Sequence, residues 1–303
     1  MSEHLVHTAI LRDSQLLIQQ MRQLDPVLKE LMTRYYLFAQ CGCVTVSGDV
    51  FSHRLLGEIR ALHGQLDEAA RARTAFVMGW ISHRACDRVM KPIWKEAPFK
   101  GRGTDVDPNI SPFECSIYHE AEAYRCYFAD DPIYRGALFP DALAETMPDD
   151  FDQAMAQQLT EGCFASGLMA IQTIPDGMAD QPRFEEICMR IQKFYVGLER
   201  YRRAINAPDP ENLEAFVTGI NWRDPQDPII AAADSIRQGE AISPEAVEEA
   251  VRRGGCSYYA QALSLSLRYI VASNRYLTDE AVDDAWLRDQ LDIGKLGPGG
   301  LAV

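Results

Sequence analysis

Residues 53–90 read HRLLGEIRALHGQLDEAARARTAFVMGWISHRACDRVM. Apolar side chains recur at helical spacing through most of this stretch, which predicts two or more helices interrupted near Gly64. Lys91-Pro92 is the expected stop, because proline lacks the N–H that a helix interior needs. Within RTAFVMGWISHRACDRVM, residues 73–90, the side chains of Phe76, Trp80, His83 and Asp87 fall on one stripe. That stripe begins apolar and ends His-Asp, so it carries a polar pair toward a buried face.

The same periodicity extends outward. SQLLIQQMRQL, residues 14–24, predicts a helix that breaks at Asp25-Pro26, and VLKELMTRYYLFAQ predicts its continuation as far as Gly42. Residues 96–112, EAPFKGRGTDVDPNISP, are rich in Gly and Pro and read as a loop. Ser111-Pro112 suits a helix start, serine as cap and proline in the first turn, before FECSIYHEAEAYRCYF. Further helices are expected near 152–172, 182–206, 210–220, 229–238, 244–276 and 278–290, capped in two cases by Ser243 and Thr278. No alternating strand pattern and no fixed-period repeat occurs. The expectation is an all-α, multi-helix bundle. It comprises a metal-site helical region at 1–130, a helical C-terminal region packed on it at 131–296, and a flexible tail at 297–303.

The 303 residues are 47% hydrophobic and 24% charged, an ordinary balance for a globular chain. A net charge of −14 argues against broad electrostatic binding to nucleic acid, although metal ions can supply local positive charge for a phosphate ester. The eight cysteines are scattered without a CxxC and read as reduced, buried thiols. No basic stretch leads into an apolar segment at the N-terminus, and no apolar run approaches the ~20 residues of a membrane span, so a cytoplasmic location is expected.

All six histidines, His4, His7, His53, His63, His83 and His119, lie in the first 119 residues. Imidazole is the commonest protein ligand for zinc, and the skew points to one metal centre built from the N-terminal part. His83 and Asp87 are one helical turn apart and can converge on one ion. His7 lies between Leu5-Val6 and Ala9-Ile10, which predicts burial, and His63 within IRALHGQL is the more inward of the two histidines on its segment. Asp49, after Gly48, reads as a turn aspartate or the cap of a helix beginning at Val50. On the next candidate helix, His119 can share a site with Glu122 by spacing or with Glu120 through a rotated carboxylate, and both acids stay candidates. The chain lacks HExxH, an adjacent His-Asp pair, ExxH and GxxxxGK, which weighs against zinc proteases, HD-type phosphohydrolases, ferritin-like di-iron sites and P-loop nucleotide binding.

In this order, His7 in HLVHTAI, Asp49 in GCVTVSGD, His63, and then FVMGWISHRACDRVMKPI, the first 130 or so residues resemble the zinc-dependent phospholipase C family. That family is related to the single-strand-specific zinc nucleases. SPFECSIYHEAEAYR, around His119, is similar to the family's later ligand-bearing segment. The resemblance implies a helical enzyme with one to three zinc ions that hydrolyses a phosphodiester, lipid or small molecule, by metal-activated water. Asp49, His63, His83 and Asp87 would form one complete site, His7 and His119 would hold a second ion, and Asp49 would also orient or deprotonate the water. Two positions depart from the family pattern: Lys91, Pro92 and Ile93 stand where a further histidine belongs, and Ala123 stands where the acid of His-x-x-x-Glu belongs. A degraded site would leave a non-enzymatic helical protein that binds a metal or a partner.

Overall fold

The computed structural model describes residues 4–44, 49–62, 64–96, 113–129, 200–201 and 203–295. Among them every regular element is helical and no strand occurs, so the fold is all-α. The helices are α1 (His4–Gln20), α2 (Pro26–Arg34), α3 (Tyr36–Cys43), α4 (Asp49–Arg60), α5 (Glu68–Glu96), α6 (Glu114–Tyr127), α7 (Pro210–Leu213), α8 (Pro228–Arg237), α9 (Pro244–Arg253), α10 (Tyr258–Thr278) and α11 (Asp284–Gln290). A π-helical turn, Glu214–Thr218, continues α7. The expected helix near 152–172, residues 182–199 of the one expected over 182–206, the Ser111-Pro112 start and the tail at 297–303 lie outside the described residues. No helix among the described residues is long and apolar enough to cross a membrane.

Local chemistry accounts for most of the boundaries. Asp25 caps α2 by accepting from the Val27 N–H at 2.7 Å, with Pro26 in the first turn. Gly64 takes a φ of +77° between α4 and α5, and Asp67 accepts from the Ala70 N–H as α5 begins. Ser243 caps α9 through the Ala246 N–H, as expected.

Four expectations are corrected. The chain turns at Tyr35, where one helix from Val27 to Gly42 was expected, and the turn lays α3 along α5. Pro92 does not end α5, which runs on to Glu96 because buried Trp94 anchors its last turn. The single helix expected over 244–276 is two: Gly254, at φ +61°, leaves the helical path, and Asp227 accepts from the N–H groups of Cys256 and Ser257 to start α10 afresh. The last helix is capped by Asp283 rather than Thr278.

Helices α1 and α5 organise the packing. α10 lies against both, and one continuous apolar core includes Ile10, Leu17, Phe76 and Ile81 together with Leu263, Leu267 and Ile270. Where α1, α10 and α5 meet, the buried hydroxyls of Ser14, Ser266 and Ser82 form a chain with 2.9 Å links, satisfying polar groups that would otherwise be costly inside. α3 and α5 approach each other backbone to backbone. A Cβ on Gly79 would stand 1.8 Å from the Ala39 carbonyl oxygen, and one on Gly42 would stand 2.0 Å from that of Phe76. Two bare backbones therefore touch, and that contact sets where the end of α3 sits.

Candidate metal centre

The α3–α5 crossing places the carbonyl of Cys43, the last residue of α3, against the side chain of His83 on α5. His83 Nδ1 lies 2.7 Å from that oxygen. A carbonyl can only accept, so Nδ1 carries a proton and donates it, and Nε2 is the nitrogen turned toward the site. One turn on, Asp87 presents its carboxylate to that face, with Oδ2 3.2 Å from His83 Nε2. From α1, His7 Nε2 reaches 3.4 Å from Asp87 Oδ1, and the two imidazoles lie with centroids 4.3 Å apart. His7, His83 and Asp87 are at most 3% exposed.

Two contacts hold His7 in place. Glu120 of α6 accepts from the N–H groups of Leu5 and Val6, at 2.8 and 2.9 Å, satisfying donors at the open start of α1 and placing negative charge at its positive end. The Cys43 thiol donates to the His7 carbonyl at 3.0 Å. Burial and the nearby charge of Asp87 push the thiols of Cys43 and Cys86 well above the usual range.

Burial alone would raise the Asp87 carboxyl, but the charge of His83, hydrogen bonds from His7 and His83, and Lys91 outweigh it and hold the group well below the usual carboxylate range. Lys91 Nζ is 2.6 Å from Oδ2. With His83 Nδ1 committed to the carbonyl, an electrically neutral His83 would face the carboxylate with a lone pair at 3.2 Å. The geometry calls for positive charge between them, a proton or a metal ion.

Among the described residues, His7, His83 and Asp87 are the one group whose ligand atoms, all within 4.8 Å of one another, could hold a metal ion. Zinc bonds of about 2.0–2.2 Å at a tetrahedral angle place ligand atoms roughly 3.3–3.5 Å apart. The observed separations of 3.2 Å, from His83 to Oδ2, and 3.4 Å, from His7 to Oδ1, are close to that range, each imidazole meeting its own oxygen of the Asp87 carboxylate. Two histidines and one carboxylate also match the donor set of sites that keep a coordination position open. The His83–Cys43 hydrogen bond is the kind of outer contact that orients a ligating imidazole.

Of the other sequence candidates, the described residues place His119, Glu120 and Glu122 with other partners. His63 lies outside the described residues, as does the side chain of Asp49, whose backbone begins α4. Of the expected set of Asp49, His63, His83 and Asp87, the described side chains are the α5 pair, and His7 joins that pair. His119 is corrected: both ring nitrogens are engaged by other partners, Nδ1 accepting from Trp94 Nε1 at 3.0 Å and Nε2 donating to the Phe216 carbonyl at 2.7 Å. Its ring stacks on Trp222. Desolvation lowers its pKa to about 3, so this imidazole is a neutral core residue. Glu120 is corrected to the α1 cap described above. Glu122 pairs with Arg125 at 2.7 Å on the outer side of α6. Trp80 packs edge-on to Phe76 in the core.

Sequence reasoning missed Lys91, although 83, 87 and 91 form a single series of one-turn steps; reading Lys91-Pro92 as a helix end hid it. It also missed Arg84 and Arg88 on the adjoining stripe of α5. Arg84 donates to the carbonyls of Leu291 and Asp292, and Arg88 to those of Asp292 and Lys295, which pins the chain after α11 onto the helix that carries the centre. No protein-family model, curated protein or solved structure matches the chain.

Proposed function

We propose that the chain holds one zinc-type ion on His7, His83 and Asp87, and that this centre serves hydrolysis of a phosphodiester, lipid or small molecule, in the manner of the zinc-dependent phospholipases C. The observation that carries the reading is the convergence of two imidazoles and a carboxylate in which His83 has its outer nitrogen fixed by the Cys43 carbonyl. The resemblance of FVMGWISHRACDRVMKPI to the family's ligand helix supports it. When bound, such an ion supplies a Lewis acid and a water acidic enough to act near neutral pH. The chain's own part is to hold the three donors rigidly in a buried setting, to fix the His83 tautomer, and to keep Asp87 ionised.

A second reading is favoured by one contact, the 2.6 Å pair between Lys91 and Asp87. An ammonium already neutralises the carboxylate, so the same residues can form a metal-free ionic cluster in a helical protein without hydrolytic activity.

Elemental mass spectrometry of the untagged protein, beside the double variant His83→Ala/Asp87→Ala, separates the two. About one equivalent of zinc, lost in the variant, with hydrolysis of a phosphodiester by the wild type only, supports the enzyme. A wild type that stays metal-free after zinc addition overturns it and leaves the ionic cluster.

A further inference from the structure

The four side chains of the centre differ in their access to water. Those of His7 and Asp87 are 1% exposed and that of His83 is 4%, whereas that of Lys91 is 18% exposed. The His83 imidazole is held by the Cys43 carbonyl, and the helix that carries His7 is fixed at its start by Glu120. Lys91 is instead a flexible stem that carries its ammonium to Asp87 Oδ2 from the last turns of α5. A lysine ammonium is a compact point charge on four methylenes, able to leave by rotation about its own bonds.

We propose that Lys91 is a tethered cation that competes with a divalent ion for Asp87. Resting on the metal reading above, the inference adds what sets the affinity of that site. With the ion absent, the ammonium supplies the positive charge that the buried carboxylate needs. When the ion arrives, two like-charged occupants stand within a few ångströms of each other in a poorly screened interior, and Lys91 must withdraw toward solvent. The site therefore binds its metal weakly and exchangeably, and remains folded without it.

Zinc itself is the probe, titrated against a chromophoric chelator into wild type, Lys91→Met and Lys91→Arg. Lys91→Met is expected to bind about tenfold or more tighter than wild type, because the competing charge is gone. Lys91→Arg, which keeps the charge, is expected to stay near wild type. In parallel, melting of metal-free Lys91→Met should fall below wild type, and zinc should raise it by more than it raises wild type, a difference that loss of simple packing would not show. If Lys91→Met does not fold, Lys91→Gln is read in the same way.

Zinc binding by Lys91→Met but not by wild type would uphold the competition while overturning the metal reading for the native chain. Equal or weaker binding by Lys91→Met than by a zinc-binding wild type would overturn the competition and leave the metal reading standing. No binding by either chain overturns both.

Discussion

Two buried histidine environments sit in one apolar core and behave as opposites. Around His119, the ring's partners among the described residues are uncharged: Trp94 donates to one nitrogen, the Phe216 carbonyl accepts from the other with the Cys115 thiol 3.5 Å away, and Trp222 covers the ring. Around His83, one nitrogen is likewise held by a carbonyl, but the other meets a carboxylate, with a second imidazole and an ammonium alongside. Burial is common to both. What the second nitrogen faces decides whether the imidazole is core filling or a ligand donor, since uncharged partners complete the first ring and an anion leaves the second in want of a cation.

The sharpest way to break this comparison is Asp87→Ala, which removes the only carboxylate from the group of His7, His83 and Lys91. Loss of one member of a buried ionic group costs about 3–5 kcal/mol, read from denaturant unfolding, together with any bound zinc. A cost under about 1 kcal/mol would mean that His83 is as neutral a core residue as His119.

Acid separates the two environments next. The folded pKa of His119, about 3, lies below its ordinary 6.5, so the unfolded chain binds the proton first. Its contribution to stability is complete above pH 6.5 and is lost as pH falls toward 3. Between pH 7 and pH 4.5 that loss is on the order of 2–3 kcal/mol, and it should be absent from His119→Gln. Asp87, held below 3.8, acts in a lower window: its contribution is complete above that value and is lost only as pH falls through the folded pKa. A wild type whose stability is flat from pH 7 to 4.5 would remove the distinction.

The smallest effect tests how His7 is presented. Glu120→Gln keeps an acceptor for the start of α1 but withdraws the charge, an expected cost of about 1–2 kcal/mol. Hydrogen exchange at the Leu5 and Val6 amides should quicken, while exchange near His119 stays unchanged. Equal changes at both places would show that α6 acts as a whole rather than through this cap.

The all-α character and the His83–Asp87 pair were legible because each depends on local spacing. His7 was legible as a buried residue from its apolar flanks, but its partnership with α5 depends on how α1 lies in the bundle. His119 misled because its partners, Trp94, Phe216 and Trp222, come from three separate stretches of chain. The choice between Glu120 and Glu122 turned on a spacing argument that assumes one inward face. Helix α6 is buried on most of its circumference, so Glu120 points inward while Glu122 finds Arg125. Lys91 was lost to the ordinary rule about proline, which the packing of Trp94 overrides here.

The contact of Gly42 and Gly79 with the opposite backbones gives the centre an unusual tolerance. The span from α3 to α5 passes through no rotatable side-chain bond, so rotamer changes elsewhere in the core leave its gauge untouched. A single added methyl at either glycine has no rotamer in which to hide and must move a whole helix, carrying the Cys43 carbonyl with it. The centre is thus brittle at two positions that no candidate ligand occupies.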